Sequence, residues 1–293
     1  MLSRGRLAHL PLGGKIVFIL VSILVGVLLT AIFSVVALLL GGSSLDSLMN
    51  QGFTSIDQAK AMQLISSICM LGMPGVLSYH LLTEETEKRA FLIPMGFVAM
   101  SIAIIFLPIS EWLGLLNQHL HLPEFLSGLE DWIYSSEKNA EQLVKQFLSM
   151  DSVGDLIFNL ILIAVVPAIC EEYLFRGALQ SIFTNRYGVH VAIFMTAVIF
   201  SAFHMQFLGF LPRFALGVLL GYLYYWSGSL IYPILMHVTN NGFVVLLVYF
   251  MGNDLLEDSD QMITEGLPVA SVLISAVVTG LALFSFQKLS EKA

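Results

Sequence analysis

Charge is what this sequence has least of. Of its 293 residues, 12% are charged and 57% are hydrophobic. The mean hydropathy is +0.85. A soluble chain carries about 25% charged residues, so the composition excludes an ordinary water-soluble domain. Basic residues are the scarcer sign, 13 Lys and Arg against 21 Asp and Glu, for a net charge of −8. With no Lys/Arg-rich run, nucleic acid is not an expected partner. Cysteine is nearly missing as well. Cys69 and Cys170 both stand in apolar stretches, which excludes a disulfide framework and any cysteine spacing of metal-binding type. The two halves show no inverted repeat, which counts against a transporter.

What is present is long apolar runs. Residues 16–40 form a run too long for a signal-peptide core, with no small-residue cleavage site after it, so it reads as a retained span. Further spans are expected over 59–82, 91–107, 152–175 with a continuation as far as 186, 189–205, 210–226, 230–250 and 269–286. The expected architecture is an all-α, polytopic membrane helix bundle of about eight transmembrane helices. Between spans three and four lies an amphipathic stretch, 111–151. Phe125, Leu126, Leu129, Trp132 and Ile133 fall on one helical face, and Leu143, Val144, Phe147 and Leu148 on another. That pattern predicts two helices lying on the membrane surface or capping the bundle.

Local signals punctuate these runs. Ser152 with Asp155 forms a capping box at the head of span four, and Pro167 is placed to kink that span. Gly217 and Gly221 make a GxxxG pair, read as close helix packing without chemistry. The organisation follows: a three-span region over 1–110, the amphipathic segment 111–151, a four-span core over 152–250, and an acidic loop with the last span over 251–293. Basic residues set the orientation. With the N-terminus cytoplasmic, inner segments hold Arg4, Arg6, Lys15, Lys88, Arg89, Arg186, Lys288 and Lys292, and outer ones Lys60, Lys138, Lys145 and Arg213. Eight spans then place both termini in the cytoplasm.

Charge reappears where it is most costly. The stretch 165–177 reads VVPAICEEYLFRG and sets Glu171, Glu172 and Arg176 at the end of an apolar run. A charged group deep in a bilayer costs about 2.5–3.5 kcal/mol or more. Glu172 and Arg176 are four apart, share a helical face and can pair. Glu171 is turned away by about 100° and lacks that partner. Two further polar sets follow, His204 after Phe200 and His237 with Asn241 four residues on. Glu171 and His204 each lie 16 residues from the turn at 187–188, so in a helix hairpin both stand about 24 Å from it. Counted from the turn near Gly228, His237 stands about 13 Å and Asn241 about 20 Å above the same side. A free carboxylate, two imidazoles and an amide thus converge in an intramembrane cavity.

EExxxR, FxxxH and HxxxN in this order resemble the CPBP (CAAX protease and bacteriocin-processing) family, the type II CAAX prenyl endopeptidase or ABI group. The likeness covers about residues 152–250, and the three motifs together are specific where each alone is weak. The resemblance implies an intramembrane endopeptidase acting on membrane-presented peptides or prenylated-type protein C-termini. It implies that Glu171 and His204 activate the attacking water, that His237 and Asn241 form the oxyanion site, and that Glu172 and Arg176 brace the first motif. Arg213 lies outside these motifs and fits either a substrate carboxylate or an interfacial anchor. No cofactor is expected in the glutamate version. A zinc version would use Glu171, His204 and His237 as ligands, although no HExxH helix is present. The rival from another class is a non-catalytic membrane immunity or scaffold protein, whose polar cluster would only bind a peptide.

Overall fold

In the computed structural model, residues 5–40, 55–84, 91–120, 123–252 and 268–292 are described. The acidic loop 253–265 and the basic positions Arg4, Lys88 and Arg89 lie outside them. The described residues form an all-helical bundle. We number its helices α1 (Leu12–Leu40), α2 (Ile56–Leu82), α3 (Ile93–Gln118), α4 (Ser127–Phe147), α5 (Val153–Tyr187), α6 (Val189–Phe203), α7 (Phe210–Ser227), α8 (Ile231–Met251) and α9 (Val269–Ser290).

Seven apolar helices have the length to cross a membrane, and the protein is a multi-pass membrane protein. The eighth expected span, α6, has only 15 residues. At about 1.5 Å per residue it reaches about 22 Å, short of a hydrocarbon layer of about 30 Å. The chain leaves α6 at His204, passes through a 3₁₀ turn over Phe207–Gly209 and returns as α7. Non-helical backbone at such depth persists only where protein groups satisfy it.

Two expectations are corrected. The third span does not stop at 107 but runs through Pro108 to Gln118. Pro108 lacks an N–H, yet it falls in the first turn of the second segment, Leu107–Gln118, where that loss is tolerated. The carbonyl of Ile105 beside this joint accepts from Ser275 Oγ of α9. As a result, 111–151 supplies one surface helix, α4, and not two. Span four does continue, unbroken, to Tyr187, with wide π-type turns at Leu160–Val165 and Tyr173–Gln180. Its start is the expected cap: Ser152 Oγ accepts from the Asp155 N–H at 3.2 Å and donates to Asp155 Oδ2 at 2.8 Å.

Two apolar cores sit side by side. One joins α1, α2, α5 and α6 around Phe175 and Phe200. The other joins α3, α7, α8 and α9 around Met95, Leu220 and Tyr232. Along α1 and α9, residues such as Leu20, Leu24, Leu28, Leu273, Val277 and Leu281 are more than half exposed. In water such faces would drive association; in a bilayer they meet lipid.

Close approaches between helices depend on glycine. A Cβ on Gly75 would lie 2.7 Å from the backbone nitrogen of Leu174, so α2 and α5 touch backbone to backbone beside the glutamate motif. Gly75→Ala is therefore expected to lower stability by about 1–3 kcal/mol, read as a fall in melting temperature in detergent. Gly280→Ala, where nothing lies within 4 Å of the added methyl, is the control and is expected to leave melting unchanged or slightly raised.

Candidate functional site

Glu171 and Glu172 sit at the C-terminal end of the helical turn Val166–Glu172, just before the wide turn over Tyr173–Gln180. Adjacent on one helix, they point in different directions, and the structure gives them different partners. Glu172 and Arg176 are both fully buried, with Arg176 Nη1 donating to Glu172 Oε1 at 2.7 Å. The guanidinium also lies 4.5 Å from the centroid of the Phe200 ring, an attractive stacking of cation on aromatic face. Its other end, Nη2, donates to the Gly217 carbonyl at 3.2 Å.

The GxxxG pair thus does more than pack. A Cβ on Gly217 would lie 3.0 Å from Ala197 Cβ, and one on Gly221 would lie 2.9 Å from Ile193. Small residues let α7 close on α6. Their carbonyls then face α5, where Arg176 takes Gly217 and Gln180 Nε2 donates to Gly221 at 2.9 Å. The i, i+4 spacing of Arg176 and Gln180 matches that of the two glycines.

Glu172 Oε1 has a second partner that helix spacing did not reveal. His237 Nδ1 donates to it at 2.8 Å from α8. One carboxylate oxygen therefore ties α5 to α8 and orients an imidazole. With Nδ1–H held there, His237 Nε2 faces Glu171 Oε2 at 3.8 Å. His204 is arranged alike. Its Nδ1 lies 2.8 Å from the Phe200 carbonyl, one turn back, so Nδ1 carries the proton and Nε2 faces the same Glu171 Oε2 at 3.9 Å. Glu171 Oε2 is buried and makes no hydrogen bond. Both gaps exceed direct hydrogen-bond reach. A water lying off the line between two such atoms can touch both at about 2.8 Å.

The structure thus brings Glu171, His204 and His237 to one point, with Glu172 and Arg176 beneath them. Helix counting had set His237 about 11 Å lower than Glu171 because it took both interhelical turns as level. They are not level. Leu230, just past Gly228, lies against Gly177, ten residues before the α5–α6 turn, which lifts α8 by several turns' worth of rise.

Asn241, one turn beyond His237 on α8, has partners of its own. Its Nδ2 reaches the Ile163 carbonyl at 3.5 Å, and its Oδ1 accepts from Asn240 Nδ2 at 3.1 Å. Ile163 is four residues before Pro167, which has no N–H to give it. The proline that was expected to kink α5 leaves this carbonyl open to the amide. Arg213 also has defined partners: Nη1 donates to the Gln206 carbonyl at 2.5 Å and Nη2 to Gln206 Oε1 at 2.8 Å.

Asn117 is a residue that the sequence reading passed over. From the end of α3 its Nδ2 donates to the Phe207 carbonyl at 2.9 Å, and its Oδ1 accepts from the Leu211 N–H at 2.8 Å. No sequence signal marks it, because both partners lie some 90 residues away. Among the described residues no three His, Cys, Asp or Glu side chains stand at metal-holding spacing as they lie.

The buried Glu172–Arg176 pair yields a test. Removing one partner of a buried ion pair leaves an uncompensated charge and costs about 3–5 kcal/mol. Arg176→Met is expected to destabilise the protein by that amount, measured by denaturant titration in mixed micelles. Arg176→Met combined with Glu172→Gln is expected to recover much of the loss.

Residues 153–243 match the family model of type II CAAX prenyl endopeptidase Rce1-like proteins. The chain is 34% identical over 97 residues to an uncharacterized protein, YpbD, of Bacillus subtilis, covering 32% of this chain and 45% of that protein. It is 29% identical over 185 residues to an uncharacterized 24.3 kDa protein of Escherichia coli, covering 57% and 85% respectively. It is 24% identical over 170 residues to the membrane-embedded CAAX protease MroQ of Staphylococcus aureus, covering 56% and 61%. The chain thus spans less than half the length of the Bacillus relative. No solved structure matches it. Glu171, Glu172, Arg176, His204, His237 and Asn241 all fall inside the segment, residues 153–243, that matches the type II CAAX prenyl endopeptidase Rce1-like family model.

Proposed function

We propose that the protein is an intramembrane endopeptidase whose centre is Glu171 with His204 and His237. The observation that carries this reading is one unpartnered buried carboxylate oxygen faced by two imidazole nitrogens, at 3.9 and 3.8 Å. The substrates are membrane-presented peptides or protein C-termini. The likeness to a staphylococcal CAAX protease supports that class.

The chemistry follows from the orientation of each group. A water molecule bridges Glu171 and His204, and Glu171 takes its proton as the oxygen attacks the scissile carbonyl carbon. The carbonyl oxygen becomes an oxyanion and meets donors from α8. His237, whose Nδ1–H serves Glu172, turns Nε2 toward that oxyanion as a hydrogen-bond donor. Asn241 donates from Nδ2 after leaving its long contact with Ile163. Collapse of the tetrahedral intermediate breaks the C–N bond, and the proton held by Glu171 passes to the departing amine.

A second reading adds zinc. Both imidazoles have Nδ1 occupied by an acceptor and present Nε2 to a carboxylate, and two histidines with one glutamate are a donor set zinc accepts. Glu171, His204 and His237 would hold it. The metal would supply an activated water.

The orientation belongs to the same proposal. Arg6, Lys15, Arg186, Lys288 and Lys292 gather at the end of the bundle where the N-terminal turn meets α2 and where α9 ends beside Tyr232. By the excess of positive charge, that end with both termini faces the cytoplasm.

The test is a mass-spectrometric comparison of peptides released from membranes containing wild-type or Glu171→Gln protein, each with and without chelator. Glu171→Gln and His204→Ala are expected to lower cleavage by about 10²–10⁴-fold, and Asn241→Ala by about 10²–10³-fold. Full cleavage by Glu171→Gln contradicts the endopeptidase reading and leaves a binding or scaffold role. Loss with chelator, restored by zinc, selects the metal version.

A further inference from the structure

We propose that Asn117 and Arg213 are positioning residues for His204, fastening the connection 204–211 so that the imidazole is held against Glu171. The inference rests on the catalytic reading above and extends the site beyond the segment matched to the family. Asn117 lies in α3, outside residues 153–243.

The argument starts from where α6 ends. His204 closes that helix, and the next residue, Met205, has φ +55°. A left-handed backbone is glycine's province at a helix end, and any other residue there is strained. Only surrounding contacts maintain such a conformation. Residues 204–209 form the break in helix between α6 and α7, and their backbone groups need partners outside a helical ladder.

Side chains from several elements meet that need. Arg213 of α7 grips Gln206 twice, at its carbonyl and at its side-chain oxygen. Asn117 uses both halves of its amide, on the Phe207 carbonyl and the Leu211 N–H, and is 6% exposed. Ser201 Oγ donates to the Phe210 carbonyl at 2.7 Å. From the surface helix α4, the Glu137 carboxylate lies near Arg213 and the Leu208 backbone; burial holds its pKa above the ordinary carboxylate value although both neighbours pull it down. Gly209 lets the guanidinium lie flat, since a Cβ there would overlap it.

Within the connection, the residue that faces Glu171 is His204, at its first position. Among the described residues, the ring's one hydrogen bond is to the Phe200 carbonyl. Its height and tilt therefore depend on where the backbone is pinned ahead of it, at 206, 207 and 211. Loosening those pins displaces the imidazole of His204 while leaving Glu171 on α5 and His237 on α8 in place. A misplacement of about 1 Å at a reacting group can cost on the order of 10²-fold in rate.

The experiment uses full-length protein in liposomes and, as substrate, the uncleaved membrane peptide whose fragment is released in the product comparison. Wild type is compared with Asn117→Leu, Asn117→Asp, Arg213→Lys and Glu171→Gln. Asn117→Leu removes both hydrogen bonds at similar volume, Asn117→Asp keeps the acceptor for Leu211, and Arg213→Lys keeps charge without the two-pronged grip. Hydrogen exchange of the amides in 204–211 is expected to speed up about tenfold or more in Asn117→Leu and Arg213→Lys. Their kcat is expected to fall about 10–100-fold with KM within twofold, and Asn117→Asp to fall between them and wild type. Unchanged exchange, or loosened amides with wild-type kcat, overturns the positioning role. A rise in KM at constant kcat overturns it too, and points Arg213 to substrate. If Asn117→Leu fails to fold, Arg213→Lys carries the same readouts. Full cleavage by Glu171→Gln would instead bring down the catalytic reading itself.

Discussion

One carboxylate oxygen holds the centre of this protein together. Glu172 Oε1 accepts from Arg176 on its own helix and from His237 on α8, all three groups being nearly or wholly out of contact with solvent. In a low-dielectric interior an unpaired charge is far more costly than an unpaired apolar group. The bundle therefore has few ways to close once Glu172 and Arg176 are buried. The guanidinium must find Gly217, which draws α7 against α5, and the carboxylate must find an N–H, which draws α8 in. The same interaction sets the proton on His237 Nδ1 and so turns Nε2 toward Glu171. Fold and site share one constraint.

This explains why two adjacent glutamates have separate fates. Glu172 has two donors at Oε1 and is fixed in place, although its Oε2 makes no hydrogen bond. Glu171, one step round the helix, reaches no partner with Oε2 and is met by two imidazoles just beyond hydrogen-bond range. Such an oxygen is poised for something that comes and goes, a water or a proton, while its neighbour supplies the rigidity that catalytic placement requires. The short helix α6 completes the arrangement by ending its histidine inside the bundle and not at its face.

Much of this was legible in the sequence, and for definable reasons. The spans follow from run length and the cap at Ser152 from local hydrogen-bonding chemistry. The Glu172–Arg176 pair follows from i, i+4 spacing. What spacing cannot express is where one helix sits along another. The level of α8 depends on Leu230 packing at Gly177, a contact between distant residues, so the counted height of His237 came out too low. A helix-spacing rule also assigns one partner per side chain, whereas a carboxylate oxygen accepts two donors, so the Glu172–His237 bond stayed hidden. Asn117 passed unmarked because its partners are backbone groups of a turn that only the folded chain creates. The third span ran longer than hydropathy suggested because a proline in a first helical turn does not stop a helix.

The central claim is that Glu171 directs water, and nothing else, at a peptide bond. It is tested most directly by running the cleavage in water enriched in oxygen-18 and weighing the newly formed C-terminal carboxylate. Wild-type protein should place one heavy oxygen in that group during a single turnover, while Glu171→Gln should yield no labelled product above background. Product formed without the label, or equal labelled product from both proteins, would contradict the account.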